Sequence, residues 1–586
     1  MSVTPQNWQV ATTILILKKK DTLSIENYRP ITLLEILFKL WEKILQIRVR
    51  NYIEMKFCLS PNQFGCRRKL GADMAIFATQ SLIDEAVRNT NTLLMLHIDL
   101  SKAYNRIPRI SLWVKLWKLG VRGKLWKAII STYDNPTEFI KLGALPWPSF
   151  SLSDGLRQGS VLSPLLFIIF MDELLKLLEI SAQGASTHGI HTPCISYVDD
   201  LQLIASSWTS LISLCHILLK YCLDYGLVIN IGKSILLSNL CLDILFSNIH
   251  FLPFVVLPQE QHTYVGAIVG FLKSKKAHII YRLTQARIKM RNMQHNGMKY
   301  EGLSPHINLF LFKTVILPKA LYGLNALGIL PTKLWVLSQF QLKMLSILLN
   351  SDPLNLTPNS WKLHEIGLHS IPDAYRASQL RLYWRILNIK GPNTARAILL
   401  NFELCSLNLA VQNISTAWAT PKLKLILQHV KTRCTLKTVL RDLLHARAQA
   451  LIPQSSSPLL PWFTKHWKGP VFAHMHLTAP AFLALCKARA ELTFGSYTHL
   501  AVPCTHCDSP SATLEHALHH CTWERAVSFR LEIIQVIEQL GPANLASWLA
   551  SPIQHRAQSL LGLDVFHKPS IKSQLATATA SYLLSF

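Results

Sequence analysis

The residues best suited to chemistry are two adjacent carboxylates in the segment Tyr197-Val198-Asp199-Asp200. Apolar runs lie on both sides of the segment, which predicts a β-hairpin with Asp199 and Asp200 at its turn. Carboxylates this close repel each other unless divalent cations neutralise them. Two such ions roughly 3.5 to 4 Å apart can activate a hydroxyl and stabilise a transferring phosphate, so the pair predicts nucleotidyl transfer.

A site with two metal ions needs a further carboxylate from another strand. The run 93–98 is apolar apart from one histidine and ends on Asp99, as expected of a buried strand that delivers an acid. We therefore predict that Asp99, Asp199 and Asp200 converge on one site, although 99 residues separate Asp99 from Asp199. The predicted cofactors are two Mg²⁺ or Mn²⁺ ions.

Seven blocks of sequence around these acids resemble, in order, the reverse transcriptase domain of LINE-type non-LTR retrotransposons. The blocks are residues 27–34, 63–65, 99–107, 154–167, 197–200, 226–234 and 264–266. The resemblance implies an α/β right-hand polymerase, with fingers and palm, followed by a helical thumb, a helical connector and a small C-terminal zinc module. The implied reaction is the addition of deoxynucleotides to a DNA 3′-end on an RNA template, with DNA primer or target, RNA and dNTPs as partners.

The same resemblance implies roles for further side chains. Tyr104 would lie beneath the incoming sugar and exclude a 2′-hydroxyl, and Gln158 would contact the incoming nucleotide. We expect Gly155 and Gly159 to let the backbone approach that nucleotide closely. The residues expected to hold the triphosphate are Lys18, Lys19, Lys20 and Arg29, and the residue expected to protonate the pyrophosphate leaving group is Lys233.

Some positions depart from the family pattern. Asn105 replaces the usual second aspartate after the aromatic residue, and Cys66 with the run Arg67-Arg68-Lys69 replaces a Phe-Arg-x-Gly-Arg pattern. The chain also begins at the fingers, without the upstream endonuclease of many family members, so we expect a truncated or degenerate element that relies on a separate endonuclease. The alternatives are a catalytically inactive nucleic-acid-binding relic and an intron maturase, which shares the palm.

Length and charge agree with a large nucleic-acid enzyme. The chain has 586 residues, and 60 Lys and Arg against 33 acids give a formal charge of +27, which favours polyphosphate partners. The predicted domains are fingers and palm at 1–270, thumb at 271–350, connector at 351–451, linker at 452–470 and C-terminal domain at 471–586. No signal peptide or membrane segment is predicted, so we expect a nuclear or cytoplasmic protein.

Periodicity predicts the elements that position the site. Strands are expected at 14–17, 28–34, 93–99 and 194–204, and helices at 35–57, 72–88, after Pro164 and at 208–225. The helix 35–57 is predicted from apolar residues at helical spacing, namely Leu37, Leu40, Trp41, Ile44 and Ile47.

The segment 271–300 carries eight Lys or Arg and no acid. Ile279, Leu283, Ala286, Met290 and Met293 recur at helical spacing, which predicts a packed stripe. We expect the basic side chains to stay solvated and to follow the template-primer backbone as a thumb does. These are Arg282, Arg287, Lys289 and Arg291.

A second motif near the C-terminus has the spacing of a zinc site, C-x2-C-x8-H-x4-C. Its residues are Cys504, Cys507, His516 and Cys521, which would form a closed tetrahedral site for one structural Zn²⁺. His506, His519 and His520 are rival ligands. The other nine cysteines are scattered singly, which favours free thiols in a reducing compartment over a disulfide framework.

Overall fold

A computed structural model describes residues 4–5, 8–17, 27–134, 136–142, 145–146, 150–152, 154–240, 252–254, 256–271, 273–298, 302–329, 331–349, 363, 368–450, 507, 516–520, 522, 524–539, 542–551, 556, 560, 575 and 577–579. The chain divides into two compact units. The first comprises Met1–His278, Gly323–Gly328 and Gln379–Asn413, and the second comprises Ile279–Tyr322, Ile329–Ser378 and Ile414–Phe586.

The strands, all in the first unit, are β1 (Val10–Leu17), β2 (Tyr28–Leu34), β3 (Leu94–Ile98), β4 (Thr137–Leu142), β5 (Leu145–Pro146), β6 (Phe150–Ser151), β7 (Ala185–Thr187), β8 (Ile190–Thr192), β9 (Cys194–Tyr197), β10 (Asp200–Ala205), β11 (Ile235–Ser238), β12 (Leu257–Gln259), β13 (Gln261–Tyr264) and β14 (Ala267–Gly270). The longer helices up to residue 295 are α1 (Ile36–Met55), α2 (Ala72–Arg88), α3 (Arg109–Lys118), α4 (Gly123–Ser131), α5 (Ser163–Ile180), α6 (Trp208–Tyr225) and α7 (Ser274–His295).

The first sheet has the order β2-β1-β4-β5, with β6 also paired to β4. β1 and β2 confirm two predicted strands and pair antiparallel, with Ile16 opposite Arg29 at the end of β1 and the start of β2. Glu138 on β4 is buried, and its Oε2 accepts hydrogen bonds from the hydroxyls of Thr13 at 2.7 Å and Thr32 at 3.4 Å. Because a buried carboxylate needs such partners, Glu138 ties the three strands together.

The second sheet has the order β12-β11-β3-β10-β9, and the central strand β3 is buried along its whole length. Alternate side chains of β3 and β10, such as Leu96 and Leu203, join the main hydrophobic core with helices α5 and α6. The intervening positions of both strands face the other side of the sheet, because the side-chain period of a strand is two. Asp99 and Asp200 lie at the end of this second face.

Helix α5 confirms the helix predicted after Pro164 and forms the centre of the core. Five of its consecutive side chains, from Leu165 to Ile169, are at most 1% exposed. Burial of each such side chain stabilises the fold by about 1.5 to 3 kcal/mol, so the helix holds the second sheet in place. Helix α6 also agrees with the prediction and ends at Gly226, which has the left-handed conformation common at helix C-termini.

Helix α1 confirms the predicted helix, but the apolar residues whose spacing indicated it do not form its buried face. Leu37 and Leu40 are 57% and 58% exposed, Ile44 and Ile47 are also exposed, and only Trp41 is partly buried. The buried face comprises Phe38, Glu42, Leu45, Gln46, Val49 and Ile53.

Polar side chains decide which face of α1 is buried. The Gln46 side-chain amide donates to the Val161 carbonyl at 2.7 Å, and the Glu42 carboxylate accepts from the Ser160 hydroxyl and the Val161 N–H. Because α1 is apolar around much of its circumference, periodicity alone cannot select the face that these long-range bonds select.

The second unit is helical in its described residues. After α7 its longer helices are Pro305–Leu311, Leu334–Leu349, Ile371–Leu387, Ser406–Ala417, Arg433–Ala450, Glu524–Glu538 and Pro542–Ala550, of which Ile371–Leu387 and Ser406–Ala417 extend into the first unit. Across the described residues no single helix is long and apolar enough to cross a membrane. One bent pair, Thr394–Asn401 with Ser406–Ala417, meets those criteria by length and composition only.

Candidate active site

The two adjacent acids lie at the end of the β9–β10 hairpin. Asp200 pairs with Tyr197, so Val198 and Asp199 form the turn between the strands. β10 also pairs antiparallel with β3, with Leu201 opposite Ile98. Asp200 and Asp99 adjoin this last pair of the ladder and lie within electrostatic reach of each other, so the strands bring these acids together.

The three carboxylates act on one another electrostatically. Desolvation, followed by the charges of Asp199 and Asp99, raises the pKa of Asp200 to about 6. Desolvation and the charge of Asp99 also raise the pKa of Asp199, and the Arg29 guanidinium opposes that rise. The side chains of Asp199 and Asp200 still contact solvent. An ion can therefore reach a pair of acids whose repulsion it would relieve.

This donor set fits a divalent cation. Among the described residues Asp199 and Asp200 form no ion pair, and Asp99 pairs with Lys233, whose Nζ lies 3.7 Å from Asp99 Oδ2. In that same part of the chain no three His, Cys, Asp or Glu side chains are close enough to hold an ion by themselves. Mg²⁺ commonly binds one or two carboxylates and completes its shell with water and substrate phosphates, so an open arrangement is compatible with it.

The turn that carries Asp199 has a strained backbone. Val198 has φ +61°, a left-handed conformation that a β-branched residue rarely adopts and that costs roughly 1 to 3 kcal/mol. Gln63 holds the turn, because its Oε1 accepts hydrogen bonds from the N–H of Val198 at 3.1 Å and of Gly65 at 2.8 Å. Its Nε2 donates to the Ser196 hydroxyl at 3.0 Å.

Gly65 is required by the same turn, since a Cβ at this position would overlap the side chain and backbone N of Val198. The segment 63–65 therefore supports the acidic turn directly. Sequence reasoning noted this block only as part of a resemblance and assigned Gln63 no role. A glutamine and a glycine two residues apart carry no local signal of a contact with a turn more than 130 residues away.

Tyr104 is half-buried and stacks on Phe167, with ring centroids 4.7 Å apart and an interplanar angle of 10°. Desolvation is the main cause of its raised pKa, and the charge of Asp199 adds to it. The structure thus places Tyr104 near Asp199, with its ring orientation fixed by Phe167. Lys233 is exposed beside Asp99, and Arg29 is exposed within electrostatic reach of Asp199.

The loop that carries Gln158 is anchored by a buried arginine. Arg157 is 2% exposed, its Nε lies 3.6 Å from Glu138 Oε1, and its Nη2 donates to the Gln9 carbonyl at 2.8 Å. Gln158 itself makes a long contact of 3.4 Å between its Nε2 and Asn105 Oδ1. Arg157 therefore links this loop to the first sheet, and Asn105 lies beside the loop.

The structure shows a different reason for the two glycines of this loop. Gly155 has φ +78°, and a Cβ there would lie 2.7 Å from the carbonyl oxygen of Asn105. Gly159 has φ +131°, and a Cβ there would overlap the backbone of Thr32. The close approach that requires glycine is made to the protein's own backbone, so the expectation of a nucleotide approach does not explain these residues.

The other predicted site residues belong to the second unit or fall outside the described residues. Lys18, Lys19 and Lys20 fall outside the described residues. On α7 the apolar stripe packs as predicted at Ile279, Leu283, Ala286 and Met290, and Met293 is partly buried. Arg287, Lys289 and Arg291 are exposed as expected.

Arg282 differs from its prediction. It is only partly exposed and lies over the Tyr322 ring, 4.4 Å from the centroid, and burial lowers its pKa. The apolar stripe of α7 lies next to Arg282, so its aliphatic stem packs while the guanidinium stacks on an aromatic face.

Half of the predicted zinc ligands can be placed. Cys504 and Cys521 fall outside the described residues, whereas Cys507 Sγ lies 3.2 Å from His516 Nε2. His516 begins a single π-helical turn, His516–His520. None of the eight cysteines in the described part of the chain forms a disulfide.

Comparisons with known proteins agree with this site. Residues 16–269 match the family model described as reverse transcriptase (RNA-dependent DNA polymerase), a segment that contains all three acids and the Gln158 loop. These residues form a reverse transcriptase domain. The expected resemblance to the polymerases of non-LTR mobile elements is thereby confirmed, as the relatives show.

One relative of this chain is the Pol polyprotein from the type-1 retrotransposable element R2 of Popillia japonica, 26% identical over 337 residues, which are 55% of this chain and 45% of that protein. Another is the RNA-directed DNA polymerase from the mobile element jockey of Drosophila funebris, 23% identical over 56% of this chain and 36% of that protein. The chain thus spans less than half of either relative. Among solved structures, apo telomerase from Candida tropicalis matches with a TM-score of 0.38 at 13% identity, over 76% of this chain and 70% of that one.

Proposed function

We propose that this chain is the RNA-directed DNA polymerase of a mobile element and extends a DNA 3′-end on an RNA template. The observation that carries the proposal is that Asp99, Asp199 and Asp200 lie within electrostatic reach of one another, at paired strands of the segment that matches the reverse transcriptase model. The raised pKa of Asp200 supports it, because desolvation and the negative charges of Asp199 and Asp99 all disfavour the ionised carboxylate, which a bound cation would favour.

Asp99, Asp199 and Asp200 would hold two Mg²⁺ or Mn²⁺ ions. When bound, such ions activate the primer 3′-hydroxyl and neutralise the charge of the pyrophosphate leaving group. Lys233 lies beside Asp99, where its ammonium can donate a proton to a leaving phosphate. Arg29 offers a bidentate guanidinium for the triphosphate, together with the lysines at positions 18–20.

Substrate choice would depend on Tyr104 and Gln158. The Tyr104 ring, held against Phe167, would block a 2′-hydroxyl on the incoming sugar and so select deoxynucleotides. Gln158 would contact the incoming nucleotide from a loop that Arg157 and Glu138 anchor. The basic face of α7, with Arg287, Lys289 and Arg291, would follow the template-primer backbone, and Arg282 would contribute from its edge.

The C-terminal module would bind one structural Zn²⁺ through Cys504, Cys507, His516 and Cys521. The 3.2 Å approach of Cys507 Sγ to His516 Nε2 supports a shared site, since two ligands of one tetrahedral ion lie about this far apart. Four protein ligands leave no position for an activated water, so the module would bind nucleic acid rather than take part in the chemistry. A separate endonuclease would supply the priming nick, in the nucleus or cytoplasm.

Primer extension tests the proposal. The purified chain should extend a labelled DNA primer on an RNA template with dNTPs and Mg²⁺ or Mn²⁺, and Asp200→Asn should abolish extension. Asp224→Asn, an exposed acid at the end of α6, is the matched control and should remain active. No extension by the wild-type chain with either metal would contradict the proposal and favour the inactive relic.

A further inference from the structure

A recess of about 610 Å³ opens on the first unit. It lies between the end of α1, the segment that follows α1, and a loop near residue 390. Four cationic side chains line it, Arg67, Arg68, Lys69 and Lys390. Three of them belong to the run that departs from the family pattern, and none has a role in the site described above.

The recess carries an excess of positive charge. Of its lining residues in the described part of the chain, only Glu54 is acidic. Arg67 pairs with Glu54 through two contacts, Nη2 to Oε2 at 3.0 Å and Nε to Oε1 at 3.3 Å, and Arg67 is only 6% exposed. Arg68, Lys69 and Lys390 form no ion pair with any described residue. Three unpaired cations thus share one cavity, which favours a polyanionic ligand.

The walls of the recess are fixed by hydrogen bonds and packing. Arg385 donates to Asp73 at 2.6 Å and to the Lys69 carbonyl at 3.4 Å, which anchors the basic run. On the opposite wall Gly391 packs against the Phe57 ring so closely that a Cβ would overlap it. The cationic side chains therefore project from a preorganised frame, which lowers the cost of ordering on binding.

The recess also has apolar surface that a base could use. Phe57 is 47% exposed and Met55 is 71% exposed, and both line the cavity. Sites for single-stranded nucleic acid combine a positive groove with aromatic side chains on which bases stack. A double helix would offer phosphates but would keep its bases away from Phe57.

We propose that this recess binds single-stranded nucleic acid, with backbone phosphates at Arg68, Lys69 and Lys390 and a base against Phe57. The proposal rests on the proposed function in one respect, which is that a polymerase binds single strands of nucleic acid. It assigns a binding site to residues outside the acidic centre and needs no turnover. The ligand chemistry is a phosphodiester strand, which RNA and DNA share.

Salt dependence of binding tests the site. For single strands the slope of log K against log salt concentration is about −0.7 per phosphate contacted. Replacing all three unpaired cations should therefore make the slope shallower by about two, since three contacts contribute roughly 0.7 each. The measurement is fluorescence anisotropy of labelled oligo(rU) and oligo(dT) with the full chain, over a series of KCl concentrations.

The variants are matched for charge. Arg68→Ala/Lys69→Ala/Lys390→Ala should make the slope shallower by about two, whereas Arg68→Lys/Lys69→Arg/Lys390→Arg should keep the wild-type slope. A control triple at exposed lysines, namely Lys118→Ala, Lys124→Ala and Lys220→Ala, removes the same charge elsewhere on the first unit and should leave the slope unchanged. Circular dichroism checks that each variant keeps its helix content.

An unchanged slope in the alanine triple, or an equal change in the control triple, would overturn the proposal. The proposal would also be overturned if the alanine triple lost binding to polyglutamate without losing any binding to the oligonucleotides. That result would assign the recess to an acidic protein. If the alanine triple lost more affinity for oligo(rU) than for oligo(dT), RNA would be identified as the preferred strand, and the reverse result would identify DNA. The binding measurement needs neither dNTPs nor divalent metal, so failure of polymerase activity and failure of this site are separable.

Discussion

The raised pKa of Asp200 predicts how metal activation depends on pH. A carboxylate binds Mg²⁺ only when it is ionised, and desolvation together with Asp199 and Asp99 raises the pKa of Asp200 to about 6. An ordinary aspartate is fully ionised at pH 6. Here protonation begins just below neutral pH, so protons should compete with the metal ion in a range where most polymerases are easily assayed.

The size of the effect follows from the titration of one group. With a pKa of about 6 the ionised fraction is about 0.9 at pH 7, about 0.5 at pH 6 and about 0.1 at pH 5. The Mg²⁺ concentration for half-maximal extension should therefore rise about twofold from pH 7 to pH 6 and about tenfold from pH 7 to pH 5. The sign is fixed, because a raised acid pKa makes ionisation harder as pH falls.

Steady-state extension at pH 5 to 8, with Mg²⁺ titrated at each pH, measures this dependence. Asp224→Asn serves as the control, since its loss removes an exposed acid without changing the charges that act on Asp200. In Asp199→Asn, which removes the largest charge cause, the midpoint of Mn²⁺ binding should fall below pH 6. A half-saturating Mg²⁺ concentration that stays constant from pH 7 to pH 5 would refute the reasoning.

Three further predictions concern other parts of the chain. Tyr104→Ala should improve the use of ribonucleotides relative to deoxynucleotides by roughly 10- to 200-fold, the usual worth of one steric contact, and an unchanged ratio of kcat/KM values would remove Tyr104 from this role. Gln63→Ala leaves the N–H of Val198 without its acceptor, so kcat should fall while the affinity for primer stays unchanged. A folded variant with the wild-type kcat would show that the turn keeps its conformation without Gln63. Cys504→Ser/Cys507→Ser should bind no zinc yet still extend a preformed primer-template, and stoichiometric zinc in that variant would disprove the ligand assignment.

The sequence predicts the strands and acids of the palm well because their signals are local. The run before Asp99 and the hairpin around Asp199 and Asp200 have the apolar content and spacing of buried strands, and the observed strands β3, β9 and β10 lie within them. The register does not follow from burial in the same way, because Met95, Gln202 and Ile204 on the second face of these strands are buried as well. The observed pairing of β3 with β10 places Asp99 and Asp200 at the end of that second face.

The supporting residues could not be predicted because their contacts are long-range. The bond from Val198 N–H to Gln63 joins segments 135 residues apart, and nothing near either residue indicates the other. The buried face of α1 depends in the same way on the contact between Glu42 and Val161, 119 residues apart. Patterns within a helix or strand report its period, whereas the choice between two apolar faces belongs to the tertiary structure.

The central claim is that Asp99, Asp199 and Asp200 hold the ions that carry out nucleotidyl transfer. Its most direct test counts the ions by electron paramagnetic resonance of Mn²⁺, in a complex with an RNA template, a dideoxy-terminated DNA primer and the next dNTP. The account predicts two Mn²⁺ per wild-type chain beyond those bound by Asp199→Asn/Asp200→Asn in the same complex. Equal Mn²⁺ binding by the two proteins would contradict it.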